Sequence, residues 1–454
     1  MTDVPARAPV PSRRRRIRSL PPFLSLPATF ASVSLASARS VTVLASCWLL
    51  LPAIARAAPQ VASTPLVLSL PDAEGRAEAA SGLLLRARAE TRSVMARSTG
   101  ADLLLPANPV VAASVGSRHE DTAGTRVSGT AVGAHLEQMI EVAGQRSTRR
   151  QEVARAVHTA RLREEVAQAE IRARVRAAYK GAQLADAQIR SARQRVALTE
   201  QLVGGVETRV QTGAASQVDL DLARIELGRA TRELQTSELA SGLALSPLRA
   251  LIGVEPGVPL DLTSPIARPA APPELSTLIA RARSLRAELK ALGASQQAVD
   301  ATLVRLRREA IPSPTLFLDL QRDLPGQLYL GGGLAVPLPL WRRNQGERAL
   351  ARAERERLDV ETRVVEREID SEVERAHHAL SVQARILAGL EKNVLPAAES
   401  AVTLTTEGWR AGKFDLFRVI QASREASEAR RSQLESLGAL WDAAIAVDRA
   451  VGSP

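Results

Sequence analysis

The feature that most constrains this chain is an internal duplication with a period of 199 residues. Gly213 and Gly412 are separated by that interval, and so are Gly253 and Gly452. Without a gap, the same shift pairs Ala223 with Ala422, Glu226 with Glu425, Ala230 with Ala429 and Arg232 with Arg431. Ser237 with Ser436, Ala240 with Ala439 and Ala244 with Ala443 follow in the same frame. Some alanine matches are expected by chance in an alanine-rich chain. Two glycines, a glutamate and an arginine in one frame are a stronger signal.

The strand-like segments are duplicated as well. Leu105-Pro106-Ala107-Asn108-Pro109 introduces a strand candidate at 110–117, and Ile311-Pro312-Ser313-Pro314 introduces another at 315–321. Second strand candidates follow at 125–136 and 327–336, and then Gly144-Gln145-Arg146 and Gly346-Glu347-Arg348 open long helical stretches. Each half reads helix, β-hairpin, very long helix, glycine turn, long helix. The helical signal rests on Leu358, Val365, Ile369, Val373, Ala376 and Leu380, continued by Ile386, Leu390 and Val394, as a coiled-coil-like seam. The stretch 144–209 would run ~100 Å at ~1.5 Å per residue, too long for a compact domain. It must project as a bundle or tube. At Thr212-Gly213 the glycine suits the left-handed position that ends a helix, and Ser216 is placed to cap the next. Asp415 holds the same place after Gly412.

Composition agrees with long helices and excludes several classes. Aromatic residues are 2% of 454, hydrophobic residues 45% and charged residues 24%, which fits neither an aromatic-rich core nor a disordered chain. One cysteine excludes a disulfide framework and any cysteine-based zinc site. The net charge of +11 invites a nucleic-acid reading, but its location argues otherwise. Residues 1–57 hold eight arginines and one acid, a net +7, which leaves +4 for the rest.

That first segment reads as a signal peptide. Arg13-Arg14-Arg15-Arg16 and Arg18 precede an apolar run at 41–54, and Ala55-Arg56-Ala57 supplies the small-x-small cleavage pattern. Arg39 keeps the uninterrupted run short of the ~20 residues of a membrane helix. Leu44-Ala45-Ser46-Cys47 also fits a lipoprotein box, but Trp48-Leu49-Leu50-Leu51 follows it, so cleavage after Ala57 is the preferred reading. No long apolar run follows, so a membrane contact would have to be made by β-strands.

No catalytic constellation converges. Walker A, Gly-x-Ser-x-Gly and His-Glu-x-x-His patterns are missing from the sequence. His377 and His378 are adjacent on a helix and diverge by ~100°, and His119 reads as part of a polar hairpin loop with Arg118, Glu120 and Asp121. His135 and His158 are isolated. No metal or cofactor site and no nucleic-acid partner is expected. Gly331-Gly332-Gly333 reads as a closely packed strand. Tyr329 and Trp341, and likewise Trp409, Phe414 and Phe417, suit either a membrane boundary or ordinary packing.

In this context the residues resemble the outer-membrane efflux protein family, the TolC-like channels. The resemblance is carried by Arg209-Val-Gln-Thr-Gly213-x-x-Ser216-x-x-Asp219-Leu and by Gly408-Trp-Arg-Ala-Gly412-Lys-Phe-Asp415-Leu. Residues 106–109, the exit Leu334-Ala-Val-Pro337-Leu-Pro339-Leu and the helix ends at Gly253 and Gly452 add to it, so that it covers 66–452. Gly144-Gln145-Arg146 and Gly412-Lys413-Phe414 look most like the branch paired with heavy-metal exporters. The resemblance implies a mainly α fold with a membrane β-barrel. Three protomers would each give four strands to a shared twelve-strand barrel, and long coiled-coil helices would form a periplasmic α-barrel. The implied partners are two further copies, outer-membrane lipid, a periplasmic adaptor (membrane fusion) protein and an inner-membrane pump of the resistance-nodulation-division type. Carried over by position, the tips that meet the adaptor are Arg209, Thr212, Gly213, Ser216, Asp219, Gly412, Lys413 and Asp415.

The chain departs from the family at the aperture, where acids often follow the second tip. Here Arg418 and Gln421 hold those places, while Asp219 and Asp221 follow the first tip. Asp219 is therefore expected either to pair with Arg418 or Lys413 of a neighbouring hairpin or to be solvated. The expected domains are a signal peptide at 1–57, a first repeat at 58–253, a Pro-rich linker at 254–273 and a second repeat at 274–454. The expected function is the passive outer-membrane duct of a tripartite efflux system, not an enzyme. Two other readings stay open: the exit duct of a type I secretion system, and a non-channel periplasmic coiled-coil protein.

Overall fold

The computed structural model describes residues 65–122, 124–271, 273–323 and 327–452. The signal segment 1–57 and Cys47 lie outside them.

Two series of elements run along the chain. The first is β1 (Leu66–Leu68), α1 (Leu70–Ala80), α2 (Gly82–Ala101), β2 (Val110–Thr122), β3 (Thr125–Met139), α3 (Gln145–Gln211) and α4 (Gln217–Ile252). The second is β4 (Leu260–Leu262), α5 (Leu275–Leu285), α6 (Ala287–Glu309), β5 (Thr315–Arg322), β6 (Leu328–Ala335), α7 (Gln345–Gly389), α8 (Leu395–Arg410) and α9 (Leu416–Val451). A π-helical turn, Leu390–Val394, joins α7 to α8. Matching elements have matching lengths: α4 and α9 have 36 residues each, and α3 has 67 against 66 for α7, the π turn and α8 together. At ~1.5 Å per residue α3 is ~100 Å long.

The π turn has a local cause. Pro396 has no N–H to give to the carbonyl four residues back, and its ring crowds that turn. The ladder widens just before it. At the 199-residue shift the first half has Ala197 in place of the proline, and α3 runs through unbroken.

The helices are joined by the same three-helix packing in each half. In the first, Ala73 and Ala77 of α1, Ile171 and Val175 of α3, and Leu248 and Ile252 of α4 form one buried cluster. In the second, Leu278 and Ala282 of α5, Ile369 and Val373 of α7, and Val447 and Val451 of α9 form its counterpart. Alanine on the short helices lets the long ones approach closely. The ends are sealed alike too. A Cβ on Gly253 would lie 2.7 Å from the Ala80 Cβ, and one on Gly452 would lie 3.1 Å from the Arg286 Cα. Both glycines also have positive φ, 67° and 73°.

The expected α7 seam holds from Leu358 to Leu380, but beyond that the buried positions are not the expected ones. Ile386 and Val394 are exposed, and Leu387 and Leu395 are buried in their place. Six residues past Leu380 is ~240° around a helix, whereas seven is ~20° short of two full turns. Leu387 therefore continues the seam. The extra residue of the π turn keeps Leu395, eight further on, facing the same side.

The stretch 254–273, expected to be a linker, carries β4, which pairs in parallel with β1 through Leu66↔Leu260 and Leu68↔Leu262. Tyr179 of α3 secures this small sheet. Its hydroxyl donates to the Leu68 carbonyl at 2.9 Å and accepts from the Ser264 N–H at 3.1 Å.

Candidate functional site: a two-faced sheet and paired helical tips

The second sheet has the order β2-β3-β5-β6, antiparallel throughout. Alternate residues of a strand point to opposite faces, and directly opposed residues share one. One face therefore carries Val111, Val115, Val132, Leu136, Leu316, Leu318, Leu320, Leu328, Leu330 and Leu334, all exposed. The other is small and polar, with Ala131, Gly133, His135 and Glu137 of β3 beside Phe317, Asp319 and Gln321 of β5. Alternation this regular sorts an apolar environment from a wet one. Its outer strands, β2 and β6, leave two unpaired edges within the chain.

On the polar face His135 Nδ1 lies 2.7 Å from Asp319 Oδ1, and Nε2 lies 3.6 Å from Glu137 Oε2. The imidazole stacks on Phe317 with ring centroids 5.9 Å apart. The glycine run leaves room for rings: a Cβ on Gly333 would lie 2.6 Å from Phe317, and one on Gly331 would meet Tyr329. No group of three or more metal-type side chains suited to an ion occurs among the described residues. His119 does not lie in a loop as expected. It is within β2, opposite Ser128, and the turn falls between Thr122 and Thr125 with Gly124 at φ 86°.

At the other end of the helices lie the two tips. Gly213 and Gly412 have φ 74° and 72°, the left-handed geometry that reverses the chain. Ser216 caps α4 in a box with Asp219: the Ser216 N–H donates to the carboxylate at 2.9 Å, and the Asp219 N–H to the Ser216 hydroxyl at 3.2 Å. Asp415 caps α9 by accepting the Arg418 N–H at 3.2 Å. Within the chain, Asp219 is thus engaged by its own cap rather than by Arg418 or Lys413. Arg418 lies over the Phe414 ring, 5.3 Å from its centroid, and 4.0 Å from Asp415. Thr212 donates its hydroxyl back to the Arg209 carbonyl at 3.1 Å, and Asp221 accepts from Gln217 at 3.4 Å. Lys413, Gln421 and Phe417 are exposed.

The two tips are not chemical copies. Gly408 makes room for Phe414, which would otherwise collide with a Cβ there. Its counterpart 199 residues earlier is Arg209. That guanidinium donates to the Trp409 carbonyl at 2.8 Å and lies 4.8 Å from its ring centroid, so the first tip holds the second. Behind this contact Val206, Leu220, Ala223, Leu416 and Ile420 form one buried cluster shared by both hairpins.

Above that cluster is a group known from the sequence only as part of the duplication and not among the expected site residues. Glu226 is 3% exposed. It accepts from Arg195 of α3 at 2.8 Å and from both Nε and Nη2 of Arg424 of α9, at 2.9 and 2.7 Å. One carboxylate therefore links three helices. The signal was its position: Ala223, Glu226 and Ala230 recur at three and four residues on the buried face. Its duplicate, Glu425, is exposed.

Comparison with known proteins gives one consistent answer. No family model matches the chain. The cobalt-zinc-cadmium resistance protein CzcC of Cupriavidus metallidurans is 29% identical over 349 residues, covering 72% of this chain and 78% of that protein. Among solved structures, CusC aligns with a TM-score of 0.65 at 15% identity, covering 85% of this chain and 92% of its own. The outer-membrane channel OprN aligns with a TM-score of 0.64 at 15% identity, over 85% and 90%. The outer membrane protein VceC of Vibrio cholerae gives 0.62 at 15% identity, over 84% and 96%. The chain is thus similar in sequence to a cobalt-zinc-cadmium resistance protein, and it shares its fold with solved outer-membrane channel structures.

Proposed function

We propose that the protein is the outer-membrane duct of a tripartite efflux system and works as a homotrimer. The observation that carries this reading is the two-faced sheet at the end of ~100 Å helices. Its apolar face suits lipid, but its two open edges do not, because bilayer hydrocarbon offers no partner for unpaired N–H and C=O groups. Three copies, each giving four strands, would close a barrel of twelve and abolish the edges. Strands β2 and β3, with 13 and 15 residues, exceed the ~9–11 that a tilted membrane strand requires. No helix among the described residues is long and apolar enough to cross a membrane.

In this reading the signal peptide at 1–57 directs export, and repeats at 58–253 and 274–454 flank the connecting stretch 254–273. The helices extend the barrel as a periplasmic tunnel. The tips, from Arg209 to Asp219 and from Gly412 to Arg418, meet a periplasmic adaptor, with Asp219, Asp221, Arg418 and Gln421 around the aperture. An inner-membrane pump of the resistance-nodulation-division type supplies the energy, so the duct itself needs no catalytic centre or cofactor. For cargo we favour divalent cations of the cobalt, zinc and cadmium kind, from the name of the sequence relative. The lumen-side carboxylates of Glu137 and Asp319 suit cations.

Two measurements test this. Detergent extracts of the outer membrane should contain a trimer that resists dissociation until heated, and a soluble periplasmic monomer would overturn the duct. Deletion of the gene should sensitise cells to zinc, cobalt or cadmium, with rescue by the intact chain. Unchanged metal tolerance alongside a new sensitivity to small organic toxins would keep the duct and reject the cargo.

A further inference from the structure

The apolar face of the sheet continues past the last ladder pair. Along β6 it runs through Leu328, Leu330, Gly332 and Leu334, and the same alternation then includes Val336, Leu338 and Leu340, all exposed. Pro337 and Pro339 fill the intervening positions and have no N–H to give a neighbouring strand. Leu340 N–H donates to the Leu338 carbonyl at 2.9 Å and turns the chain into Trp341, which is 85% exposed.

Two arginines follow at once. The Arg342 side chain is 86% exposed and reaches Glu347 only at 3.5 Å. Arg343 is exposed, and its Nε donates to the Pro339 carbonyl at 2.9 Å. Asn344, at the start of α7, donates to the Leu306 carbonyl at 3.2 Å, which brings the exposed Arg307 and Arg308 at the end of α6 to the same region. An apolar ribbon thus ends in a tryptophan and a concentration of positive charge.

We propose that 336–343 is a binding surface for anionic phospholipid in the periplasmic leaflet of the outer membrane. Val336, Leu338 and Leu340 continue the lipid-facing stripe into the boundary between acyl chains and headgroups. Trp341 lies at that boundary, where its apolar body and its N–H are both served. Arg342 and Arg343 bind the headgroup phosphate, for which a guanidinium is geometrically suited. The proposal rests on the barrel reading above, because it needs the sheet's apolar face to lie in the bilayer.

The test uses the trimer with Trp409→Phe and Trp441→Phe, so that Trp341 is the one tryptophan after residue 57. It is reconstituted into vesicles of phosphatidylcholine mixed with phosphatidylglycerol, with bromine carried on one lipid or the other. Most of the Trp341 emission should be lost, and more with bromine on phosphatidylglycerol than on phosphatidylcholine at equal amount. Arg342→Gln with Arg343→Gln should abolish that difference while the heat-resistant trimer persists. Full emission from an inserted trimer would mean that protein, such as a neighbouring copy, covers Trp341, and would overturn the proposal. Equal quenching by the two lipids would overturn the anionic preference. Failure of any heat-resistant trimer to form would instead overturn the barrel reading, and this surface with it.

Discussion

Glu226 shows what single residues contribute to this fold. Burial alone would push its carboxyl up, but hydrogen bonds from Arg424 and Arg195, and their charges, outweigh that and hold it below its ordinary value. A carboxyl depressed in the folded state stabilises at all pH above its unfolded value of ~4.3 and loses that contribution as the pH falls through the folded value. Removing it in Glu226→Ala takes from Arg424 its carboxylate and from Arg195 one of two at a helical joint. Breaking such a buried pair costs roughly 3–5 kcal/mol, and the lower end is expected because Arg195 keeps Glu233. Thermal unfolding of the detergent-solubilised protein should show the loss at pH 7, and Glu226→Gln should fall between alanine and wild type. The curves should converge as the pH drops below about 4. A constant difference down to pH 3 would show that the charge is not what matters. Residues of this kind were hard to read from sequence. Arg424 is 198 positions from Glu226, and nothing local announces the pair. The tip glycines are legible because their constraint is local: a left-handed turn favours glycine above other residues.

Elements were legible where one period dominated. The strand hairpins and the 199-residue frame could be read directly, since alternation and duplication need no tertiary knowledge. The burial of Leu395 in place of Val394 and the β4 strand could not. The first depends on a π turn and the second on a partner strand near residue 66. The sheet gives the sharpest element-scale test, because adjacent residues of β5 lie on opposite faces. Leu318→Arg puts a charge on the apolar face, at a cost of ~2–4 kcal/mol near the bilayer midplane. Gln321→Arg puts the same charge on the polar face. In cells, Leu318→Arg should lower the yield of heat-resistant trimer in the outer-membrane fraction severely, and Gln321→Arg should leave it close to wild type. The opposite ranking would mean that the two faces have been assigned the wrong way round.

For the whole molecule, the duplication is more informative where it fails. A trimer built from this chain would present six helical hairpins of two alternating kinds, one ending around Arg209 and the other around Phe414. Arg209 is committed inward, stacked on Trp409 and bonded to its carbonyl. Lys413 and Phe417, in contrast, project with exposed side chains. The two kinds of tip should therefore respond differently to mutation. Arg209→Ala acts on the chain itself: it loosens the contact between hairpins, and its defect should appear as a lower unfolding temperature and a raised single-channel conductance in planar bilayers. Among the described residues the Lys413 side chain makes no hydrogen bond or ion pair, so Lys413→Glu leaves the intramolecular contacts in place. It should leave unfolding and conductance unchanged, yet weaken capture of the cognate adaptor and reduce metal resistance in cells, more so at low salt, where exposed charges are least screened. If Lys413→Glu keeps full adaptor capture, docking must be assigned to another part of the tunnel. If Arg209→Ala loses adaptor capture with its conductance and unfolding unchanged, the Arg209 guanidinium touches the adaptor directly instead of holding the second tip.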